Sequence, residues 1–448
     1  MAEYVDAAWL AQRLHATSSK DLGHGLTRLI DGGELTPGSH LPTIRDFARA
    51  AGVSPGTVMT AWSRVRDSGR LHTRRRGGTV VVDPNLPAPS PIGRVDWARI
   101  EMALVTPDPQ LQPDLAPALA AAVSETHDLH NPARAFLSER LRRSVEPGWP
   151  FPAQAWNCVG GGSEAVVLAT AAAASGGPVG VEEPVSPGYL DILRRLGIEA
   201  VGVRADEYGP TVLSVTAALR RGVTALVLQP SGAYAISGGL TVERAAALAA
   251  AIGPDTWVIE DDSAGPLASS EPPSLGAHLP DRVLRVRSYC KAYGIDLRTA
   301  VLGGSAELVE RTVRLRSFGM ASNSRVLQNA LAHLIDDSNV TDAMTRARGR
   351  YRVRRRAALD AFTAAGLHAS ASADGFVVWV RVPDETSTLI NLARQGIVAA
   401  AGAKSFVTKT EGMLRFSILQ LPEERHRLSE LAEALRAAVH SSEREYFD

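Results

Sequence analysis

The sequence predicts a small, mainly α-helical domain at the N-terminus, a large α/β domain with a mainly parallel sheet, and a small α+β domain at the C-terminus. Three observations support this fold class. Capped helices and a glycine turn fill the first 82 residues, a proline-rich stretch follows, and short apolar runs then alternate with helical stretches. We therefore predict one domain at 1–82, a linker at 83–105 and a second domain at 106–448, whose large subdomain spans about 146–335 and small subdomain about 336–448.

The composition predicts a globular protein of the reducing cytoplasm. Its 48 basic and 48 acidic residues cancel, so any affinity for nucleic acid must come from a local patch. No apolar run reaches the ~18 residues that a membrane span needs, and the N-terminus lacks the features of a secretory signal. Two cysteines, Cys158 and Cys290, cannot build a disulfide framework or a zinc cluster. We expect no metal site and no membrane partner.

The first 82 residues carry the signals of three helices and two strands. SSKDLGHGLTRLIDGG places leucines at helical spacing and ends in glycines. Thr43 followed by Asp46 resembles a capping box. Ser54 is a predicted N-cap with Pro55 at the first helical position. LHTRRRGGTVVVD predicts two strands around a turn at Gly77, and the whole pattern is that of a winged helix-turn-helix.

A local basic patch accompanies this pattern. Between Arg64 and Arg76 there are six arginines and one acid, Asp67. Contacts to DNA phosphates need such a concentration of positive charge. A bare charge run is more often a solvated helix face, but here it coincides with the capped helices and the glycine turn. The segment is therefore predicted to bind duplex DNA.

GELTPGSHLPTIRDFARAAGVSPGTVMTAWSRVRDSGRL resembles the GntR-type DNA-binding family over nearly its whole length. The resemblance implies that Arg45, Thr57 and the wing at Gly77 face DNA. Family members often carry arginine where this chain has Pro55, so the contact at that position differs here. The full set of predicted DNA-contacting residues is Arg45, Ser54, Thr57, Arg64, Arg74, Arg75, Arg76 and Gly77.

The remainder of the chain alternates strand-like and helical stretches. GPVGVEEP, ALVLQP, TWVIEDD and LRVRSY are short β-like runs, and SEAVVLATAAAA and TVERAAALAAAIG are helical. This alternation predicts a mainly parallel sheet with helices on both faces. The C-terminal part changes character, with an arginine-rich helix, the strands GFVVWVRV and MLRFSILQ, and a final helix. It is predicted to form the small α+β subdomain.

SYCKAYGIDLR contains a lysine with the neighbours of a pyridoxal 5'-phosphate site. Lys291 lies after Ser288 and seven residues before Arg298. The cofactor needs a lysine amine to form an imine, a carboxylate beside its ring nitrogen, and hydroxyl or arginine donors with a helix N-terminus for its phosphate. Lys291 meets the first demand. Ser288 and Arg298 contribute to the phosphate site, as do Gly162 and Ser163 in the strand-to-helix turn VGGGSEAVVLA.

The carboxylate is expected at the end of the apolar strand TWVIEDD, thirty residues before the lysine. The carboxyl ends of parallel strands are where such sheets bind ligands. Asp261 is the first choice and Asp262 the alternative, while Glu260 is expected on the opposite face of the strand.

From Gly162 to Arg298 and on to LRFSILQ, the chain resembles fold-type I aminotransferases, which depend on pyridoxal 5'-phosphate. In that resemblance Arg415 matches the arginine that binds the carboxylate of the substrate. The whole arrangement resembles the MocR-type regulators, in which a GntR-type DNA-binding domain (the reader) is fused to an aminotransferase-like domain. The resemblance implies a homodimer with a shared cofactor site, in a head-to-tail, domain-swapped arrangement.

Several positions depart from the pattern of these relatives. Ser186 replaces an aromatic residue that stacks on the cofactor ring, and Ser263 replaces a tyrosine that contacts its phenolic oxygen. Gly232 lacks a polar side chain that the relatives carry. Tyr234 and Tyr189 are the candidates to replace the lost aromatic, and packing within loops is the alternative role for both. These departures predict weaker cofactor binding or a changed pocket.

The sequence thus predicts a DNA-binding transcriptional regulator whose large domain binds pyridoxal 5'-phosphate and senses an amino acid, an amine or the cofactor itself. Two alternatives stay open. One is a working aminotransferase with an appended reader. The other is a regulator whose degenerate pocket serves dimerisation. We expect sensing rather than catalysis, because ring-contact positions are lost at Ser186 and Ser263.

Overall fold

A computed structural model describes residues 4–14, 18–36, 38–68, 70–74, 78–82, 100–126, 136–186, 188–317 and 322–440. The chain divides into two compact units, Met1–Arg94 and Val95–Asp448. Within the described ranges no helix is long and apolar enough to cross a membrane. The same ranges contain no group of three His, Cys, Asp or Glu residues placed to hold a metal ion.

The described elements of the first unit are α1 (Ala7–Leu14), α2 (Ser19–Asp31), β1 (His40–Leu41), α3 (Ile44–Ala51), α4 (Pro55–Asp67), β2 (Leu71–Arg74) and β3 (Gly78–Val81). The strands form an antiparallel sheet with β3 in the centre. Both predicted N-caps are present: the Thr43 side chain accepts from the Asp46 N–H, and the Ser54 side chain from the Thr57 N–H. The elements α1 and β1 were not predicted from the sequence.

Buried apolar side chains hold α3 and α4 in the helix-turn-helix arrangement. Phe47 on α3 and Trp62 on α4 have ring centroids 4.9 Å apart. Leu22 and Leu26 of α2 and Val58 of α4 are fully buried in the same core. Since one stripe of each helix faces this core, the opposite stripes of α3 and α4 are left for solvent or a partner.

In chain order, the described elements of the second unit are β4 (Ile100–Glu101), α5 (Ala116–Glu125), α6 (Glu139–Val145), β5 (Ala155–Val159), α7 (Gly162–Ala174), β6 (Val179–Glu183), α8 (Tyr189–Arg195), β7 (Ala200–Asp206), β8 (Gly209–Pro210), α9 (Val212–Arg220), β9 (Ala225–Leu228), α10 (Val242–Ala251), β10 (Trp257–Asp262), β11 (Val283–Ser288), α11 (Cys290–Tyr293), β12 (Ala300–Gly304), α12 (Ala306–Arg316), α13 (Arg325–Asp336), α14 (Ser338–Ala364), β13 (Ala369–Ser370), β14 (Val377–Arg381), α15 (Glu385–Arg394), β15 (Ile397–Val398), β16 (Ala400–Ala401), β17 (Met413–Ser417) and α16 (Arg425–His440).

The central sheet has eight strands in the order β5-β12-β11-β10-β9-β6-β7-β8. The five strands from β11 to β7 are parallel to one another. Among the described strands of this sheet, β12 and the short β8 run antiparallel to their neighbours. The mainly parallel sheet predicted from the alternating pattern is therefore confirmed. Its parallel strands bring the ends of β10 and β11 to one edge, where parallel sheets bind ligands.

The C-terminal part forms a second, four-stranded antiparallel sheet in the order β13-β14-β17-β16. We call this sheet and the helices α14, α15 and α16 the small subdomain. The short strand β4 pairs in parallel with β15, with Ile100 beside Ile397. Ile100 and Glu101 lie inside the stretch predicted as a linker, so its described end, residues 100–105, is part of the second unit.

Candidate functional site

The turn between β5 and α7 forms one wall of the candidate site. A Cβ atom added to Gly162 would lie 2.9 Å from the Ser288 Cβ, and one added to Gly161 would lie 3.7 Å from the Arg298 Cζ. Gly161 also has φ +145°, a conformation that favours glycine. The first N–H groups of α7 thus lie next to a hydroxyl and a guanidinium group. Together these are the donors that a phosphate group needs.

We call the turn at Gly161 and Gly162, together with Ser288 and Arg298, the glycine cradle. Arg298 has an unusual backbone conformation there. Its φ of +44° is left-handed, and Ser175 is the only other non-glycine residue with a positive φ among those the structure describes. Such a conformation costs about 1–3 kcal/mol and is concentrated at functional sites. The Arg298 side chain is exposed and forms no ion pair with the described residues. Ser163, the second residue of α7, is also exposed at this wall.

Asp261 at the end of β10 and Lys291 on α11 interact electrostatically. Burial raises the pKa of Asp261 to about 6, while the Ser263 hydroxyl, which donates to its Oδ1, and the Lys291 charge act in the opposite direction. The Lys291 Nζ lies 5.3 Å from the centroid of the Phe376 ring. A carboxylate, an amine and an aromatic face therefore meet at the edge of the sheet that carries the glycine cradle.

Asp262, the alternative to Asp261, is committed to a buried ionic network. Its Oδ2 lies 2.7 Å from the Arg287 Nε and 3.2 Å from an Arg285 nitrogen. Burial alone would raise the pKa of Asp262, but the two guanidinium groups bring it below its ordinary value. Glu260 binds Arg285 as well, at 3.0 Å. Asp262 and Glu260 thus share one face of β10, and Asp261 lies on the other, so the geometry favours Asp261.

Arg415 on β17 is a buried cation with unused donors. It is 2% exposed, and its Nη2 donates to the Ala103 carbonyl at 2.8 Å. Its Nε and Nη1 have no hydrogen-bond partner among the described residues. Burial lowers the pKa of Arg415, while Tyr234 and Glu101 act in the opposite direction. Because an unpaired buried cation is costly, this arrangement suits an anion from outside the chain.

The two tyrosines considered as replacements for the lost aromatic, and Gly232, have local structural roles. Tyr189 is buried, and its hydroxyl lies 2.6 Å from the Thr170 hydroxyl, so it packs within the large subdomain. Tyr234 is also buried, and its carbonyl accepts from the Trp379 indole. Gly232 has φ +62°, and an added Cβ would lie 2.3 Å from a backbone oxygen. The structure thus has no room for a side chain at position 232.

Sequence reasoning missed Glu182, a carboxyl buried at the end of β6. Its Oε2 accepts the Gln229 N–H at 2.6 Å. Burial raises the pKa of Glu182 to about 8, the Gln229 N–H acts in the opposite direction, and the nearby Asp261 adds to the rise. The only signal in the sequence was a carboxylate in an apolar strand, and the desolvation behind this shift arises from the tertiary packing.

We expect Glu182→Gln to change how stability depends on pH. The pKa of Glu182 in the folded state lies above its ordinary 4.5, so the folded state holds a proton that the unfolded chain has released. Stability present at low pH is therefore lost as the pH rises from about 4.5 to about 8, by up to about 1.4 kcal/mol per pH unit. Urea unfolding of both proteins across this range should show the wild type losing stability relative to the variant. If the stabilities of the two proteins changed with pH in the same way, Glu182 would not be the group that binds this proton.

The first unit presents part of the predicted DNA-contacting set. Arg45 on α3 and Arg64 on α4 are exposed. Ser54 caps α4, and its hydroxyl lies 2.8 Å from that of Thr57. Arg70 of the basic patch instead pairs with Asp31, at 2.8 Å. The remaining predicted contacts lie outside the residues whose side chains the structure describes, and these are Arg74, Arg75, Arg76 and Gly77.

Two family profiles match the chain. Residues 18–81 match the bacterial regulatory proteins of the gntR family, and residues 254–435 match aminotransferase class I and II. The first range contains the helix-turn-helix and the second contains Asp261, Lys291 and Arg415. Both halves predicted from the sequence are therefore confirmed at the level of the family.

Two relatives named as transcriptional regulators match most of the chain. The chain is 26% identical over 411 residues to the vitamin B6 salvage pathway transcriptional repressor PtsJ of Salmonella typhimurium, covering 90% of this chain and 95% of that protein. It is 29% identical over 350 residues to the HTH-type pyridoxine biosynthesis transcriptional regulator PdxR of Corynebacterium glutamicum, covering 74% and 75%. The chain is a MocR-type transcriptional regulator.

The second unit of this MocR-type regulator has the fold of solved aminotransferases. LysN, an α-aminoadipate aminotransferase from Thermus thermophilus, aligns with a TM-score of 0.68 and 21% identity, covering 77% of this chain and 92% of that chain. Aspartate aminotransferase from the same organism aligns with a TM-score of 0.64 and 20% identity, covering 76% and 92%. At these identities the likeness shows the fold alone, which is the predicted fold-type I architecture.

Proposed function

We propose that this MocR-type regulator binds pyridoxal 5'-phosphate at the edge of its large sheet, covalently through Lys291. The observation that carries the proposal is the convergence of two groups of residues at that edge. Asp261 interacts with Lys291 there, and Gly162 packs against Ser288 beside Arg298. A fold shared with aminotransferases supports the same site.

The residues fit the demands of the cofactor. Ser288, Arg298 and the N–H groups of Gly162 and Ser163 would hold the phosphate, since the glycines leave space that a Cβ atom would fill. Asp261 would pair with the ring nitrogen, whose positive charge favours the ionised carboxylate. When bound, the cofactor supplies an aldehyde that captures amines and a ring that withdraws electrons.

We propose that the signal is either the cofactor itself or an amino acid or amine that reaches it. The names of two relatives, a vitamin B6 salvage repressor and a pyridoxine biosynthesis regulator, support the cofactor as the signal. The unused donors of Arg415 support a carboxylate-bearing effector. Sensing rather than turnover is supported by Ser263, which stands where the relatives carry a tyrosine and whose hydroxyl donates to Asp261 at the end of β10.

We further propose that the regulator acts as a homodimer on paired DNA half-sites. Residues 1–82 would form the reader, with Arg45 and Arg64 on phosphates and α4 in the major groove, as helix-turn-helix dimers place their second helix. Residues 83–99 would connect it to the regulatory domain. A head-to-tail, swapped dimer would let a ligand at Lys291 alter the spacing of two readers.

The cofactor proposal is tested by reductive trapping. The chain has four lysines, Lys20, Lys291, Lys404 and Lys409. After incubation with pyridoxal 5'-phosphate and borohydride, mass spectrometry of the digested protein should place the adduct on the peptide containing Lys291. The visible absorbance band of the loaded protein should be lost in Lys291→Ala.

Lys404→Ala is the matched control, since Lys404 is exposed in the same unit and lies outside the cradle. This variant should keep both the adduct and the band. Labelling spread evenly over the four lysines, or an unchanged band in Lys291→Ala, would show that the site does not hold the cofactor through Lys291.

A further inference from the structure

The first half of α4 has an exposed face without charge. From Ser54 to Ser63 the chain contains no acidic residue, no basic residue and no histidine. Met59 is 59% exposed, although it lies between the fully buried Val58 and the exposed Thr60. Met59 is thus a large apolar side chain exposed on the helix that the proposed function places in the major groove.

The polar groups around Met59 are already engaged within the helix. The hydroxyls of Ser54 and Thr57 bond to each other at 2.8 Å, and the Thr60 hydroxyl donates to the Gly56 carbonyl at 3.0 Å. The Pro55 ring, the Thr60 methyl group and the Met59 thioether are therefore the free side-chain groups of this half of the helix. None of them is a hydrogen-bond donor.

Positive charge flanks this face rather than occupying it. Arg45 is exposed on α3 and Arg64 is exposed towards the end of α4, while the exposed Arg49 pairs with Asp46 at 3.7 Å. Contacts to phosphates position a protein on the duplex, while groups between them read the base edges. The charge distribution thus divides α4 into a neutral first half and a basic end.

We propose that Met59 reads the C5-methyl group of a thymine in the major groove of the operator. Thymine is the base that presents a methyl group there, whereas the other base edges are read by hydrogen bonds that Met59 cannot make. This inference rests on the proposed placement of α4 in the major groove. It assigns Met59 a specificity role and leaves affinity for phosphates to the arginines.

The test begins with the full-length protein and a random duplex library, from which bound sequences are selected. Each dT of the selected half-site is then replaced in turn by dU, which removes the methyl group and nothing else. At one position in each half-site, dU should weaken binding of the wild type about fourfold. Met59→Ala should bind the dT duplex with the same loss and show no further loss on the dU duplex.

Three controls separate this role from a structural one. Arg64→Ala should lower the salt dependence by about one unit of slope, whereas Met59→Ala should leave the slope unchanged. Leu213→Ala removes another exposed apolar side chain, 80% exposed on α9, and should bind as the wild type does. Circular dichroism melting should be the same for Met59→Ala and the wild type.

Equal dU effects in the wild type and Met59→Ala, or no dU effect at any position, would overturn the assignment of Met59 while leaving DNA binding intact. A wild-type protein that selects no sequence from the library would overturn the placement of α4 in the major groove, and this inference with it.

Discussion

Replacing Arg285 by methionine is expected to lower the free energy of unfolding of the second unit by about 3–5 kcal/mol. Arg285, Glu260 and Asp262 have side chains with no exposure to solvent. The substitution would leave both carboxylates in the interior with fewer partners, because Glu260 keeps only the Ser274 hydroxyl and the Leu275 N–H among the described residues. Urea unfolding of the full chain measures the loss.

Arg282→Met is the matched control for this substitution. Arg282 precedes the same strand, is partly exposed and lies 4.7 Å above the Trp257 ring. It is not part of the buried ionic network, so its loss should cost at most about 1 kcal/mol. A cost for Arg285→Met as small as that of the control would mean that the network does not hold β10 in place.

Arg415→Met is expected to stabilise the protein without ligand by about 1–3 kcal/mol. The arginine leaves two buried nitrogens without a partner among the described residues and gains one bond to Ala103. Methionine fills much of the same space without a charge to desolvate. At the same time, a carboxylate that binds the wild type should bind the variant about 10–150-fold more weakly, since a hydrogen bond to a charged group is worth about 1.5–3 kcal/mol.

Chemical unfolding measures the stability of the protein without ligand. Titration with the standard amino acids, followed by the thermal shift, measures the loss of affinity for a carboxylate. Arg381→Met on the neighbouring strand β14 is the control, because Arg381 is exposed and pairs with the equally exposed Glu411. Its stability should change by less than about 0.5 kcal/mol. An Arg415→Met protein that is less stable than the wild type would mean that the arginine serves the fold.

The sequence predicted the parts of the site that depend on local rules. The end of an apolar strand pointed to Asp261 and the glycine turn to Gly162, and both assignments remain predictions. The choice between Asp261 and Asp262 needed the structure, because alternation along β10 puts them on opposite faces and helices cover both faces of the sheet. Only the long-range ion pairs of Asp262 with Arg285 and Arg287 show which face of β10 carries the buried ionic network.

Other features depended on contacts between residues far apart in the chain. The bond from Arg415 to Ala103 joins residues 312 positions apart, and no periodicity encodes it. The raised pKa of Glu182 reflects the burial of one carboxyl where β6 packs between β7 and β9. In the first unit, the caps at Thr43 and Ser54 were predicted because a cap depends on neighbours three residues away.

The pairing of β4 with β15 gives the connecting segment an anchor. Ile100 and Glu101 lie in the sheet ladder beside Ile397 and Val398, and the Met102 carbonyl accepts from the Ser417 N–H at 2.7 Å. Residues 100–103 at the start of the described second unit are thus hydrogen-bonded to the small subdomain, next to Arg415, and not to the central sheet. Any movement of that subdomain would therefore carry residues 100–103 along with it.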